Sequence, residues 1–442
     1  MLEAIRDCLE GQIPAVIATC SASGVPNVSF ISQVHYIDPQ HVALSFQFFN
    51  KTHRFVRENP QATAMILDPV SGRQYRMRLR YLRTETSGPV FESMKARLAG
   101  IASHTGMTGV FELKGSDIYD VIEVEPVPGA LLPSPPRRNL LAAVRAYAQL
   151  VPRWTELSLL LDGSLQELEA SLQIRHAMIH WLDESGERLY LIASRGYAQS
   201  GVGSEIGLGQ GVIGTSAHMR VPIRITHFTA EYTYSRAARD SVRHTNLSDR
   251  LEAAIPLPGL PEPRSQIAVP IDTGARLLGV LSAESSRDSA FGHDHEDALV
   301  AIAGQLALAA QLLESAGERS EAPPSSAAPI ERGSGAPAVV RHYPADDTIF
   351  VDELYLIKGV AGAILWKLLR DYTERGRTEF TNRELRLDSS IPLPELSSNL
   401  EARLILLQRR LAERCASIGI EKTGRGRFRL EVRRPMKLLE AG

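Results

Sequence analysis

The chain has 442 residues, a formal net charge of −2, 44% hydrophobic residues and 23% charged residues. This length predicts about three domains, and the composition supplies enough apolar residues for a sizeable core in each. The near-zero net charge excludes a polybasic chain, so any nucleic-acid site has to be a local patch. Three cysteines far apart in the sequence exclude a disulfide framework or a multi-cysteine zinc site, and they favour a reducing, cytoplasmic compartment.

The start of the chain lacks the basic segment and long apolar run of a signal peptide. No run of ~18 apolar residues occurs, so we expect no membrane span. Two segments rich in proline and small residues divide the chain and are predicted to be linkers, 126–138 and the more flexible 315–338. The three blocks between and around them are predicted as domains, and we refer to them as the first (1–125), second (139–314) and third (339–442) blocks.

The first block is dominated by short strand patterns, IPAVIAT, PNVSFISQV, HVALSFQF and ATAMIL, with turns between them. The segment QYRMRLRYLRT alternates cleanly, with apolar residues on one face and Arg76, Arg78 and Arg80 on the other. A helix and a last strand, IYDVIEVEP, complete a pattern that predicts a small barrel. We interpret the arginine face as a solvated strand face, with an anion-gathering role as the alternative.

A short helix begins within FNKTHRFVRENP and is stopped by Asn59-Pro60. Asn50, Lys51 and Thr52 place donors at its start, where a helix already presents unpaired N–H groups and partial positive charge. The pattern is consistent with an anion site. An ordinary capped surface helix is the alternative interpretation.

The first block resembles the pyridoxamine 5'-phosphate oxidase-like split barrels, which bind FMN at a dimer interface. The resemblance is carried by HVALSFQFF, the Asn-Lys-Thr helix start, the Asn-Pro stop and the pair Arg73-Gln74. It implies that Asn50, Lys51 and Thr52 bind the flavin phosphate and that Gln74 reaches the isoalloxazine ring. It also implies that further residues line the flavin, namely Ser29, Phe30, Ser45 and Phe46.

The chain departs from that family at several points. It reads Val28-Ser29-Phe30 where the oxidases often have a phosphate-binding arginine, and its helix start has one basic residue where they tend to have two. The C-terminal substrate-binding tail of the vitamin-making oxidases has no counterpart after the last strand. We therefore expect FMN as a cofactor for sensing and do not expect the oxidase reaction.

The second block starts with two apolar helical stretches, NLLAAVRAYAQLV and TELSLLLDGSLQELEASLQ, which we interpret as a dimerising stalk. Strands, a Gly-rich turn and a final amphipathic helix follow. The block resembles a GAF domain through GQGVIG, the strand VPI and GARLLGVLSAE. GAF domains share a fold and differ in ligand, so the resemblance implies a small-molecule effector of unknown identity.

Some ligands are excluded, because the second block has no cysteine to attach a bilin or an iron–sulfur cluster and lacks the NKFDE-type signature of cyclic-nucleotide-binding GAF domains. The segment 227–250 lies where such domains usually cap their pocket. A pocket for an anionic or aromatic ligand is predicted there, and an exposed polar loop is the alternative. The candidate pocket residues are His227, Tyr232, Tyr234, Arg236, Arg239 and Arg243.

We predict no metal site in the second block. His176 and His180 lie four apart in a predicted strand, which separates them by roughly 13 Å, too far for one ion. His293 and His295 flank Asp294, which we interpret as a helix cap.

The third block contains a helical pattern at LYLIKGVAGAILWKLLRDYTERG, a short second helix capped at Thr381 or Asn382, and a third helix within SSNLEARLILLQRRLAERC. The third helix has an apolar stripe, Leu400, Leu404, Leu407 and Leu411. A hairpin with a turn at 424–426 follows. The block resembles the winged-helix effector domains of response regulators through LQRRL and TGRGRFRL, although its middle helix is short and followed by PLP.

Residues 398–442 contain eleven Lys or Arg and five acids, an excess of six positive charges in a chain whose total is −2. Such a patch on a helix and wing is typical of duplex DNA binding. A winged helix that contacts protein is the alternative. The predicted DNA-binding residues are Arg403, Arg409, Arg410, Arg414, Lys422, Arg425 and Arg427.

The sequence therefore predicts a multidomain α+β fold, with a split β-barrel, a GAF α/β sensor domain and a winged helix in that order. The predicted function is a homodimeric cytoplasmic one-component regulator, in which flavin or a small-molecule effector controls binding to double-stranded DNA. One alternative is an FMN-dependent oxidoreductase with a regulatory GAF domain and a protein-contacting third block. Another is an assembly scaffold with empty pockets. No catalytic residue is predicted.

Overall fold

The structure is a computed structural model. It describes residues 2–9, 15–31, 33–46, 50–104, 113–133, 139–183, 185–226, 255–319, 336–391 and 400–441. Four sheets are found within these ranges, one in the first block, one in the second and two in the third.

The first block forms a seven-stranded antiparallel sheet with the order β2-β1-β5-β6-β7-β4-β3. A 3₁₀ turn at Leu2–Cys8 precedes it. The strands are β1 (Ala15–Cys20), β2 (Pro26–Ile31), β3 (Val34–Tyr36), β4 (His41–Phe46), β5 (Gln61–Leu67), β6 (Gln74–Glu85) and β7 (Gly115–Val127). Two helices accompany them, α1 (Asn50–Glu58) and α2 (Pro89–His104).

The alternation read from β6 is confirmed, because Met77 and Leu79 are fully buried while the arginines between them are exposed. The helix predicted from Asn50 is α1, and it ends at Glu58, before Asn59-Pro60 as expected, since proline lacks the N–H that a further turn requires. The sheet with its two helices agrees with the expected split-barrel-like architecture.

The second block has a six-stranded antiparallel sheet with the order β10-β9-β8-β13-β12-β11. Its strands are β8 (His176–Leu182), β9 (Arg188–Arg195), β10 (Glu205–Gly207), β11 (Ile223–Ile225), β12 (Ser265–Asp272) and β13 (Leu277–Ser285). Its helices are α3 (Leu140–Leu150), α4 (Leu157–Leu172), α5 (Gly211–Met219) and α6 (His293–Arg319).

Helices α3, α4 and α6 pack together on one face of this sheet, and α5 packs on the other. The apolar faces of α3 and α4 are therefore used within the domain, since Tyr147, Leu160 and Leu161 are fully buried in its core. These helices are thus part of the domain core, and their use in a dimer stays a prediction.

One described helical stretch, His293–Ser315 within α6, is long and apolar enough to cross a membrane by length and composition alone. Half of its most apolar window is buried inside the protein. Leu299, Ile302 and Leu306 lie in the core against the sheet, so packing within the domain accounts for the apolar side of this helix.

The third block contains a four-stranded sheet, order β16-β15-β14-β20, and a three-stranded sheet, order β17-β19-β18. The strands are β14 (Ala338–Tyr343), β15 (Thr348–Val351), β16 (Leu354–Ile357), β17 (Glu379–Thr381), β18 (Ile418–Gly424), β19 (Arg427–Val432) and β20 (Met436–Glu440). The helices are α7 (Val360–Arg375), α8 (Asn382–Leu387) and α9 (Leu400–Arg414).

The helical pattern predicted from Leu354 begins too early, because Leu354–Ile357 is strand β16 and the helix starts at Val360. Gly359 separates the two elements with a φ of 66°, a left-handed conformation that favours glycine. The cap at Thr381 is confirmed, since its hydroxyl accepts a hydrogen bond from the Glu384 N–H at 3.3 Å. The hairpin turn predicted at 424–426 joins β18 to β19.

The first two blocks are in contact through α2, which packs against α5. Glu296, at the start of α6, bridges them, because it accepts hydrogen bonds from Arg97 of α2 (2.8 Å) and from Arg224 of β11 (3.2 Å). All three side chains are at most 12% exposed. A buried carboxylate shared by two guanidiniums thus holds the first block on the second.

Candidate flavin, ligand and nucleic-acid sites

The first turn of α1 carries a cluster of small polar side chains. Asn27 of β2 donates its Nδ2 to the Thr52 Oγ1 at 2.8 Å, and the Ser29 and Thr52 hydroxyl oxygens are also 2.8 Å apart. Thr19 of β1 accepts a further hydrogen bond from Asn27 at 3.3 Å. The structure therefore brings two predicted flavin residues, Ser29 and Thr52, into contact.

Asn27 and Thr19 were missed in the sequence, although Asn27 lies two residues before Ser29 on the same strand and so shares its face. Lys51 is exposed, with its Nζ 5.4 Å from the Phe55 ring centre. Hydroxyl, amide and ammonium donors beside a helix start form a set suited to a phosphate group. The residues present at α1 fit that part of FMN.

A second group surrounds the end of β4. The Phe46 ring stacks on His53 of α1, with ring centres 4.3 Å apart, while Ser45 pairs with Ser116 on β7. His53 Nδ1 lies 3.3 Å from Asp117, whose other carboxylate oxygen accepts a hydrogen bond from the Thr84 hydroxyl at 2.6 Å. Burial raises the pKa of the Asp117 carboxyl, so its environment disfavours the charge. The role of His53 was not predicted.

Phe30 and Gln74 lie apart from these groups within one chain. Phe30, on edge strand β2, is 68% exposed, as is its neighbour Val28 at 67%. The register connects Ser29 to Ile17, Ala64 and Met77 on successive strands, and Gln74 lies three residues beyond Met77. This places Gln74 about 17 Å from Ser29 along the sheet. A single chain thus does not assemble all eight predicted flavin residues.

The arginines of β6 are neutralised by the neighbouring strand. Arg76 pairs with Glu125, Arg78 with Glu123 (2.7 Å) and Arg80 with Asp120 (2.6 Å), all on β7. All three arginine side chains are more than half exposed. This favours the solvated strand face over an anion site.

The six candidate pocket residues of the second block, His227, Tyr232, Tyr234, Arg236, Arg239 and Arg243, lie outside the described residues. The sheet face that carries α5 is described, and its core includes Met178, Leu191 and Val280. His180 is fully buried, and within the described part of the chain neither ring nitrogen has a hydrogen-bond partner. Burial lowers the pKa of His180 to about 3, so the imidazole is neutral at physiological pH.

A cleft of about 650 Å³ opens where α4 ends and β8 begins, and no sequence pattern predicted it. His176, Glu284 and Arg287 line it. Tyr197 donates a long hydrogen bond (3.5 Å) to Glu284, and burial raises the pKa of its hydroxyl. No group of three or more potential metal ligands occurs among the described residues.

Three of the seven predicted DNA-binding residues contact the second block. Arg409 donates to the Ile192 carbonyl oxygen at 2.8 Å and to Asp162 at 2.7 Å. The Arg403 guanidinium lies 4.0 Å from the centre of the Tyr190 ring. Lys422 lies 3.0 Å from Glu156. Arg409 is 20% exposed, because it meets a carbonyl and a carboxylate of the second block.

The other predicted residues divide into buried and exposed groups. Arg410 is 3% exposed and donates its Nε to the Leu356 carbonyl oxygen at 3.0 Å, so it holds α9 to β16 within the third block. Burial lowers the pKa of its guanidinium. Arg414 and Arg425 are exposed and Arg427 is half-buried. The apolar stripe of α9 is wider than predicted, since Ile405 and Leu406 are also buried.

Two models of known protein families match the first and second blocks of the chain. The pyridoxamine 5'-phosphate oxidase family model matches residues 1–127, and the GAF domain model matches residues 156–310. A search among curated proteins gave no match.

Several solved structures resemble parts of the chain. An FMN-binding protein from Syntrophomonas wolfei is 18% identical over 29% of this chain and 92% of its own (TM-score 0.24). The GAF domain of an Acinetobacter phosphoenolpyruvate-protein phosphotransferase is 20% identical over 41% and 99% (TM-score 0.31). A free methionine-R-sulfoxide reductase from Neisseria meningitidis, in complex with its substrate, is 18% identical over 40% and 91% (TM-score 0.30). By the two family models, the chain carries a pyridoxamine 5'-phosphate oxidase-like domain followed by a GAF domain.

Proposed function

We propose that the chain is a one-component sensor and transcriptional regulator, in which flavin or a small-molecule effector controls a DNA-binding third block. The first two domains are of types that support a flavin or small-molecule sensor. DNA binding is the part of this function that requires the third block.

The observation that carries this proposal is the arrangement of the third block. Three helices, α7, α8 and α9, are followed by the hairpin β18–β19, which is the element order of a winged helix. Helix α9 would be the recognition helix and the hairpin the wing, where Arg425 lies at the exposed turn. Arg414, in the last turn of α9, is exposed as well.

The test is a fluorescence anisotropy titration of a random-sequence 30-base-pair duplex with the full-length protein at low salt. We expect retention of the duplex, weakened roughly tenfold by Arg414→Ala with Arg425→Ala, since each removes a phosphate contact. A matched control, Arg76→Ala with Arg78→Ala, removes the same charge from the first block. Equal weakening by both pairs would contradict a local DNA site.

We propose further that the first block binds FMN at the start of α1. Lys51, Thr52, Ser29 and Asn27 would hold the phosphate with the first N–H groups of the helix. Gln74, which lies far from this cluster in one chain, would come from a second copy in a homodimer. Bound FMN would supply a redox-active ring, whose state can serve as the signal.

The flavin test is the visible absorption spectrum of purified protein, recorded before and after reconstitution with FMN and gel filtration. We expect flavin bands that survive filtration and that disappear in the variant Lys51→Ala with Thr52→Ala. A colourless protein that rejects FMN would contradict the flavin site and leave the GAF domain as the sensor. Neither result bears on the DNA titration.

A second candidate function is an FMN-dependent oxidoreductase whose third block contacts protein. The contact of Arg403, Arg409 and Lys422 with the GAF domain favours it, because that contact is itself protein recognition. Deleting the third block separates the two. Under the first proposal, the full-length protein retains DNA and the shortened protein does not. Under the second, neither protein retains DNA, and the shortened protein keeps its flavin turnover.

A further inference from the structure

We infer that the GAF domain inhibits the DNA-binding block by occupying the basic face of α9, so that the arrangement described is the DNA-free state of the regulator. This inference rests on the proposed DNA-binding function. It is argued from the contacts that α9 and the hairpin make with α4 and β9.

The GAF domain supplies the same chemistry to these cations as a DNA backbone would. Asp162 on α4 binds Arg409, and Glu156, which precedes α4, binds Lys422. Carboxylates here stand where phosphates would lie in a complex, and they repel a phosphate that approaches the same surface. DNA and the GAF domain therefore compete for one set of side chains.

The contact is also closed sterically. Arg403 is 7% exposed, because the Tyr190 ring covers its guanidinium. Arg409 reaches the Ile192 carbonyl oxygen of β9, so this strand lies directly against α9. A major groove cannot admit a helix whose face is already packed against a sheet. The GAF domain has to move away before α9 can bind DNA.

Strand β9, which contacts α9, contributes side chains to two hydrophobic cores. Tyr190 and Ile192 face the side that meets the third block, while Leu189 and Leu191 face the core beside α5. This alternation follows from the strand period of two. Any effector that shifts β9 from the α5 side would therefore displace the residues that cover α9.

The two ion pairs of the docking contact are partly exposed. Asp162 is 64% exposed and Glu156 is 40% exposed, so both pairs lie at the edge of the contact, where ion pairs are weak. Removing two such pairs is expected to shift the docking equilibrium about tenfold, equivalent to about 1.4 kcal/mol. An effector needs no greater preference than this to change DNA affinity measurably.

The test uses a release variant of the full-length protein, Asp162→Asn with Glu156→Gln, which changes only GAF-domain residues. The isocharge control is Glu187→Gln with Glu262→Gln, because both acids are exposed on the same domain and both variants gain two units of charge. Affinity for a random-sequence 30-base-pair duplex is measured by anisotropy at fixed salt. We expect about tenfold tighter binding by the release variant and wild-type affinity in the control.

Small-angle scattering of the proteins without DNA provides an independent readout. The release variant is expected to have a larger radius of gyration than wild type and control, because the third block is joined by a long Pro/Ser/Gly-rich segment and moves away once undocked. An unchanged radius together with unchanged DNA affinity would overturn the inference.

The failures are distinguishable. If wild type and release variant bind the duplex equally and Arg414→Ala with Arg425→Ala weakens both, the DNA function stands and the inhibition is wrong. If the release variant expands in scattering but no protein retains DNA at low salt, the proposed function is wrong and the inhibition falls with it. If the control binds as tightly as the release variant, general charge explains the effect and the inference is overturned.

Discussion

The arginines of β6 and the cations of α9 and its hairpin look alike in sequence, yet they are neutralised in different ways. Arg76, Arg78 and Arg80 meet acids of β7, the adjacent strand of the same sheet. Arg409 and Lys422 meet Asp162 and Glu156, which belong to another domain. The first set is satisfied locally, whereas Arg409 depends on the docked GAF domain and Lys422 has Glu401 of α9 (3.7 Å) as a second partner within its own block.

This difference indicates where a basic surface can act as a switch. A cation paired within its own sheet stays paired whenever the sheet is folded. A cation paired across a domain contact is exchanged between partners, so the acid that holds it competes with any external anion. Under the inferred inhibition, the third block therefore carries charge that a signal would expose, whereas the first block does not.

The largest loss of stability is expected on substitution of Glu296, the buried acid that joins the first block to the GAF domain. Glu296→Ala removes the carboxylate shared by Arg97 and Arg224, at a cost of about 3 kcal/mol, because both guanidiniums lose their charge partner in a buried site. The check is urea unfolding, in which the first transition of Glu296→Ala should have its midpoint at a lower urea concentration than that of wild type. Glu187→Ala serves as the exposed control, and equal midpoints for the two variants would show that the contact is not stabilising.

A pH effect of about 2 kcal/mol is expected from His180. Its folded pKa, about 3, lies below the ordinary value of 6.5, so the unfolded state binds more protons between these values and stability falls as pH falls. The GAF domain should be about 2 kcal/mol less stable at pH 5 than at pH 7 from this group. In His180→Leu that difference disappears, whereas in the exposed His218→Gln it persists. Parallel pH profiles of urea unfolding for wild type and His180→Leu would contradict the assignment.

Substitution of Arg410 should destabilise the third block more than substitution of its neighbour Arg409. Arg410→Ala leaves the buried Leu356 carbonyl oxygen without its donor and is expected to destabilise the third block by about 1–2 kcal/mol. Arg409→Ala removes an exposed ion pair and a hydrogen bond to the GAF domain, so it should loosen the docking and destabilise the third block itself less. Thermal unfolding of the two variants checks the order. Comparable losses would indicate that Arg409 is as integral to the fold as Arg410.

The smallest effect is expected on β6. Arg78→Ala should leave the unfolding midpoint unchanged and should not alter duplex DNA binding, because the Arg78–Glu123 pair is solvent-exposed. Anisotropy and thermal unfolding check both statements. A loss of DNA affinity in Arg78→Ala would mean that the arginines of β6 also take part in DNA binding, which would contradict this account.

Much of the fold could be predicted because its signals are local. The alternation of β6, the start of α1 at Asn50 and the cap at Thr381 each depend on residues a few positions apart. The strands β14 to β16 were missed, because their short segments lie next to a long helical pattern and Gly359 alone marks the boundary.

The sites were less predictable because they depend on distant partners. Ser29 and Thr52 were named separately as flavin residues through the family resemblance, and their contact was not predicted, while Asn27 needed only the two-residue period of its strand. Nothing in α9 indicates that Arg403 would lie under Tyr190, more than two hundred positions away. Domain docking is set by surface complementarity, which a single sequence pattern does not contain.

The most direct test of the docked basic face is the salt dependence of duplex DNA binding by wild type and by the release variant Asp162→Asn with Glu156→Gln. The undocked third block makes the same phosphate contacts in both proteins, so both affinities fall as salt rises. Salt also weakens the exposed docking pairs, so the account predicts about tenfold tighter binding by the variant at low salt and a smaller difference at high salt. Equal affinities of the two proteins at low salt would contradict the account, because the GAF acids would then have no effect on DNA binding.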